Sequence, residues 1–247
     1  MSPEEELQPV EATGVPPQPR WGLGDAAAGF LIGFVLSSFA ASVWLAGTGG
    51  RELSIGGQAL AQVGLWVGLA GSAVLAARRK GSGSIGVDFG FRARGTDIPL
   101  GAVVGLLGQA ALVPAVAFLL RPLLGRPDVD GPVEDLFESA HGVGLVGVVL
   151  FAVVGAAIVE ELFFRGLLLR SLQRRLGTGG AVAVSAGLFG LSHPQPLPAE
   201  GQILVMVSLT ALGVVLAALA VRTGRLGPPI VAHAAFNAWT AAILLSS

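Results

Sequence analysis

The stretch Val153-Val-Gly-Ala-Ala-Ile-Val-Glu160-Glu161-Leu-Phe-Phe-Arg165-Gly-Leu-Leu-Leu169 decides how this 247-residue chain is read. It is apolar except for three charges, and the apolar run that contains it starts at Val143. Similar runs lie near 26–47, 53–77, 98–120, 143–166, 178–193, 201–221 and 228–245. About 20 residues of helix cross a hydrocarbon core of roughly 30 Å. Runs 26–47, 53–77, 98–120 and 201–221 are among those that hold no Asp, Glu, Lys or Arg at all. Short alternating segments of the barrel kind are missing, so the spans are helices, whose backbone groups are satisfied within each segment. The expected fold is all-α, a polytopic membrane helix bundle of about seven transmembrane helices. A re-entrant or interfacial helix would make eight.

Composition agrees. Charged residues make up 13% of the chain against about 25% in soluble domains, 53% are hydrophobic, and the mean hydropathy is +0.74. A water-soluble single core cannot hide that much apolar surface. With no cysteine there is no disulfide framework, thiolate nucleophile or Cys-ligated zinc. A net charge of −1 gives no case for nucleic acid. Residues 1–21 are polar, acidic and proline-rich and read as a disordered tail rather than a secretory signal. Residues 22–247 read as a single membrane domain without internal repeats.

Basic residues orient the spans. With the N-terminus cytoplasmic, the inner side collects Arg20, Arg78, Arg79, Lys80, Arg92, Arg94, Arg170, Arg174, Arg175, Arg222 and Arg225. The outer side keeps only Arg51, Arg121 and Arg126, together with the acidic loop bearing Asp128, Asp130, Glu134, Asp135 and Glu138. This eleven-to-three bias follows the positive-inside rule, with the C-terminus outside. The expected location is a plasma membrane of bacterial type. Gly64/Gly68 and Gly101/Gly105 have the small-xxx-small spacing of close helix packing, and Pro114 marks a kink in the third span.

The polar residues inside the spans are costly, each charge about 2.5–3.5 kcal/mol near a helix centre. Glu161 and Arg165 are i,i+4 with the acid first, the favourable order for an ion pair. Glu160, about 100° round the helix, has no such partner. It is a spare carboxylate available for chemistry, unless all three charges snorkel to the interface. Two of the three histidines fall in spans: His193 in Phe189-Gly-Leu-Ser-His193, and His233 in Ile230-Val-Ala-His233-Ala-Ala-Phe-Asn237. His233 and Asn237 share a helix face. His141, in the acidic loop, reads as a surface residue. Counted from the ends of the hydrophobic runs, Glu160 is shallow and His193 deep, so convergence calls for tilt or an interfacial helix at 167–176.

Glu-Glu-x-x-x-Arg, Phe-x-x-x-His and His-x-x-x-Asn, in this order on successive spans, resemble the CPBP family. That family comprises CAAX prenyl endoproteases and the bacteriocin-processing or immunity proteins often called Abi. The resemblance covers about 143–245. It implies that Glu160 is the catalytic glutamate and His193 its partner, that His233 and Asn237 complete the site, and that Glu161 and Arg165 brace it. It implies a membrane protein or peptide as substrate, prenylated in one branch of the family, entering among the fourth to seventh helices.

Two chemistries suit those residues. In a metal-free one, Glu160 deprotonates a water also held by His193, while His233 and Asn237 donate to the oxyanion. In the other, Glu160, His193 and His233 ligate Zn²⁺, and another group such as Glu161 is the base. Intramembrane charges also build transporter pathways, but no repeat symmetry is visible. A membrane scaffold or immunity protein that cuts nothing is the other alternative. Oligomeric state is not legible.

Overall fold

The computed structural model describes residues 19–50 and 53–246. Arg51 and most of the expected tail lie outside them. All regular structure among the described residues is helical: α1 (Leu23–Thr48), α2 (Ile55–Lys80), a short α3 (Ile85–Asp88), α4 (Asp97–Leu124), α5 (Gly131–Glu138), α6 (143–176), α7 (178–191), α8 (Ala199–Thr223) and α9 (Gly227–Ser246). Six helical stretches are long and apolar enough to cross a membrane. One of them, Gly144–Leu191, has 48 residues, about twice what a crossing needs.

That stretch is a hairpin. Gly177 has φ 66° and ψ −179°, a region essentially reserved for glycine. Phe164 and Ser185 would be some 30 Å apart in a straight helix, yet the Ser185 hydroxyl donates to the Phe164 carbonyl at 3.1 Å. The chain thus runs up α6, reverses at Gly177 and returns as α7. Counting α6 and α7 separately recovers the seven apolar runs of the sequence.

Small residues set the close approaches. A Cβ on Gly68 would meet the Gly33 Cα at 2.3 Å, and one on Gly64 would meet the Leu36 carbonyl oxygen at 2.9 Å, so α1 and α2 touch backbone to backbone. A Cβ on Gly105 would fall 2.1 Å from the Ala232 carbonyl oxygen, and one on Gly101 would strike Val231. Both glycine pairs are therefore packing faces, and the second seats α9 one residue from His233.

Pro114 sits just beyond a π-helical turn, Gly108–Leu112, within α4. Proline lacks an N–H and its ring crowds the carbonyl four residues back. Widening the preceding turn accommodates both without ending the helix. The same turn carries Gln109, whose side-chain nitrogen donates to the Thr240 hydroxyl on α9 at 3.2 Å.

One end of the bundle is clasped by basic residues. Lys80 pairs with Asp25 at 2.7 Å, Arg225 grips both oxygens of Asp97, Arg170 donates to the Gly224 carbonyl, and Arg174 stacks over Trp21. Trp21 in turn donates to buried Asp88.

Gly177→Ala places a Cβ in a forbidden backbone region although no atom lies within 4 Å of it. The expected cost is about 1–3 kcal/mol, read as a lowered midpoint of thermal unfolding in detergent. Gly179→Ala, two residues on and equally uncrowded, should be neutral or stabilising by about 0.5–1 kcal/mol through helix propensity.

Candidate active site

The hairpin aligns the site. Glu160 lies seventeen residues before Gly177 and His193 sixteen after it, so antiparallel α6 and α7 bring them to one level. Glu160 Oε2 is 3.5 Å from His193 Nε2 and 4.0 Å from His233 Nε2. This corrects the unequal depths inferred from the hydropathy runs. The apolar run stops near Arg165, but α6 continues amphipathically to 176, beneath Arg170, Arg174 and Arg175. Residues 167–176 are continuous with α6 and do not form a separate helix.

Glu160 and Glu161 divide as their helical angle requires. Glu161 is fully buried, and its Oε1 accepts from Arg165 Nη1 at 2.9 Å and from His233 Nδ1 at 3.0 Å. Arg165, also fully buried, donates from Nη2 to the Gly213 carbonyl of α8 at 3.3 Å. Its guanidinium stands 4.3 Å from the ring centroid of Phe189 on α7. The three charges are thus interior, and snorkelling is excluded for them. Glu160 is 8% exposed and opens onto a cavity.

The two imidazoles are held by different acceptors. His193 Nδ1 contacts the Phe189 carbonyl at 2.6 Å. A carbonyl only accepts, so Nδ1 carries hydrogen and Nε2 faces Glu160. His233 Nδ1 is tied instead to the Glu161 carboxylate. Phe189 packs edge-on against both rings, at 4.7 and 5.7 Å.

Asn237 lines the same cavity, but its amide nitrogen donates to the Ala152 carbonyl at 2.8 Å. Ala152 belongs to a π-helical turn, Phe151–Gly155, just ahead of Glu160. Asn237 therefore ties α9 to α6, and one of its two N–H groups is committed.

The cavity has a volume of about 1080 Å³, with Glu160, Phe189, His193 and His233 on its floor. Its walls are not confined to the fourth to seventh spans. Gln58, Gln62 and Trp66 of α2 and Gln109 of α4 also line it. These uncharged amides do not interrupt the apolar runs of the first three spans and so leave no mark in a count of charges. Gln58, Gln62 and Trp66 follow i,i+4 spacing along one stripe. Ser208 Oγ, Trp66 Nε1 and Gln109 Oε1 are buried, belong to lining residues and have no hydrogen-bond partner among the described residues. Buried polar atoms ordinarily have one.

Among the described residues no group of three or more His, Cys, Asp or Glu is arranged to hold a metal ion. Zinc ligands stand about 2.0–2.1 Å from the ion, which puts tetrahedral neighbours roughly 3.3 Å apart. The Glu160–His193 separation of 3.5 Å is close to that spacing and the Glu160–His233 separation of 4.0 Å is wider.

Removing one partner of a buried ion pair strands the other at a cost of about 3–5 kcal/mol. Arg165→Met should therefore lower folded yield and thermal stability sharply. Glu161→Leu combined with Arg165→Met should regain much of that loss without regaining function, because His233 loses its acceptor. Thermal unfolding beside an activity assay reads both.

No curated protein and no solved structure matches the chain. Residues 142–239 match the family described as type II CAAX prenyl endopeptidase Rce1-like. The match covers about two-fifths of the chain and holds Glu160, Glu161, Arg165, His193, His233 and Asn237. That segment is similar to the Rce1-like type II CAAX prenyl endopeptidases, and the six long apolar helices mark the chain as an integral membrane protein.

Proposed function

We propose that the protein is an intramembrane endopeptidase in which Glu160 is the general base, acting without a metal on a peptide bond of a membrane-associated protein or peptide. The observation that carries this is the facing of one Glu160 carboxylate oxygen, buried and without a hydrogen-bond partner among the described residues, by two imidazole Nε2 atoms. A water between Glu160 and His193 gives its proton to Glu160, and its oxygen attacks the scissile carbonyl carbon. The oxyanion forms beside His233 and is stabilised by its Nε2–H. As the intermediate collapses the C–N bond breaks, and Glu160 returns the proton to the leaving nitrogen. The products are a new carboxyl terminus and a new amine.

The acceptors of the imidazoles assign these roles. His233 Nδ1 is committed to the Glu161 carboxylate, so its Nε2 end faces the reacting carbonyl. His193, backed by a neutral carbonyl, keeps a lone pair on Nε2 for water. Asn237 serves as a positioning residue for the π-helical turn ahead of Glu160, with its remaining N–H free to assist the oxyanion.

Membranes containing wild type or Glu160→Gln at matched levels should differ in protein termini by mass spectrometry, with new termini confined to wild type. Equal termini, with both proteins folded, would sink the protease reading in favour of a binding or immunity role. Once a substrate is in hand, cleavage by purified protein should survive exhaustive chelation. Loss on chelation with return on adding zinc would replace the metal-free route by a Glu160, His193, His233 zinc site.

A further inference from the structure

The cavity is placed asymmetrically along every helix that lines it. On α2 it is lined by Ile55, Gln58 and Gln62, while Arg78, Arg79 and Lys80 close the opposite end. On α4 it is lined by Gln109, Val113, Phe118 and Arg121, remote from the Asp97–Arg225 clasp. On α6 the lining runs from Gly144 to Glu160, and Arg170, Arg174 and Arg175 follow beyond it. On α8 it covers Leu204 to Leu209, with Arg222 at the far end. On α9 it extends from His233 to Ala241, away from Arg225. Five helices agree that the floor is mid-bundle and the mouth faces the end opposite the basic clasp.

The mouth is built from the loop before α5 and from α5 itself. Arg126, Pro127, Val129, Asp130, Val133 and Phe137 line it, and Asp128, Asp135 and Glu200 surround an adjoining recess. Among the described residues this end has two Lys or Arg residues outside the spans, Arg121 and Arg126, and the clasped end has eleven. Basic loops stay on the cytoplasmic side, and acidic residues contribute little to that choice.

We propose that the cavity opens to the extracytoplasmic side, and that its substrate is the outer flank of a membrane-anchored protein or peptide rather than a cytoplasmic tail. The inference rests on the protease reading only for the word substrate; the orientation stands apart from it. Depth adds a length requirement. From Gly144 at the mouth to Glu160 is about 24 Å of helix, which an extended chain covers in about seven residues. The scissile bond must therefore lie at least about seven unfolded residues from any globular part on the outer side. The apolar walls, among them Val113, Phe118, Val148 and Phe236, suit apolar side chains in that threaded segment.

The natural absence of cysteine makes the test direct. Val129→Cys at the mouth and Thr178→Cys at the α6–α7 turn are introduced singly into the full chain and expressed in bacterial cells. Each is treated with a membrane-impermeant maleimide before and after permeabilisation. Val129→Cys should label in intact cells, and Thr178→Cys only once the membrane is opened. The reverse pattern, or labelling of both in intact cells, overturns the proposal. The Glu160→Gln comparison of termini runs on the same cells and separates the failures. Outward labelling without any Glu160-dependent cleavage removes the protease and keeps the orientation. Inward labelling with cleavage does the opposite.

Discussion

A single oxygen atom, Glu161 Oε1, holds the C-terminal helices in register. It accepts from Arg165 within α6 and from His233 on α9. Arg165 extends the same network to the Gly213 carbonyl of α8 and to the Phe189 ring of α7. Four helices thus meet at one buried ion pair. Between helices in lipid there is no water to exclude, so packing and polar contacts supply the specificity. A buried charge left alone is costly enough to make this arrangement close to obligatory.

The path of α6 adapts to that centre. Glu160 and Glu161 stand between two π-helical turns, Phe151–Gly155 and Leu162–Leu168. A π turn inserts a residue into the helical repeat and rotates all that follows. The first presents the Ala152 carbonyl to Asn237 and stacks Phe151 on Trp66 at 4.1 Å. The second turns Arg165 inward beside Glu161 and lets the Phe164 carbonyl take the Ser185 hydroxyl. The wide turns occur where α6 meets the cavity wall and the returning α7.

The helices and the polar cluster were legible because lipid makes both conspicuous. Apolar runs show the crossings, and Glu160, Glu161, Arg165, His193 and His233 stand out against them. Depth was not legible. Hydropathy ends the fourth run near Arg165, whereas backbone hydrogen bonding carries α6 to 176, and only the reversal at Gly177 shows that Glu160 and His193 are equidistant from the turn. The cavity contribution of α2 and α4 was hidden for a different reason. Gln58, Gln62 and Gln109 cost less than charges and do not interrupt an apolar run, so they carry no alarm in a charge count. The glycine pairs could not be told from chance in so glycine-rich a chain. What distinguishes Gly68 and Gly105 is the identity of the residues opposite, Gly33 and Ala232, which lie far away in sequence.

The adjacency of the two glutamates is itself a constraint on the chemistry. Consecutive residues on a helix point about 100° apart, so of two neighbouring acids one faces the interior when the other faces the cavity. The interior acid is committed to Arg165 and His233, which leaves the cavity acid close to a group already carrying balanced charge. A cavity carboxylate placed by a peptide bond from the Glu161–Arg165 pair cannot drift independently of it. A shift in the Glu161 contacts moves Glu160 and the far nitrogen of His233 together. In the proposed reaction these are the groups that take the proton and meet the oxyanion. Their relative placement is therefore tied to the covalent step between Glu160 and Glu161 and to the hydrogen bond between Glu161 and His233.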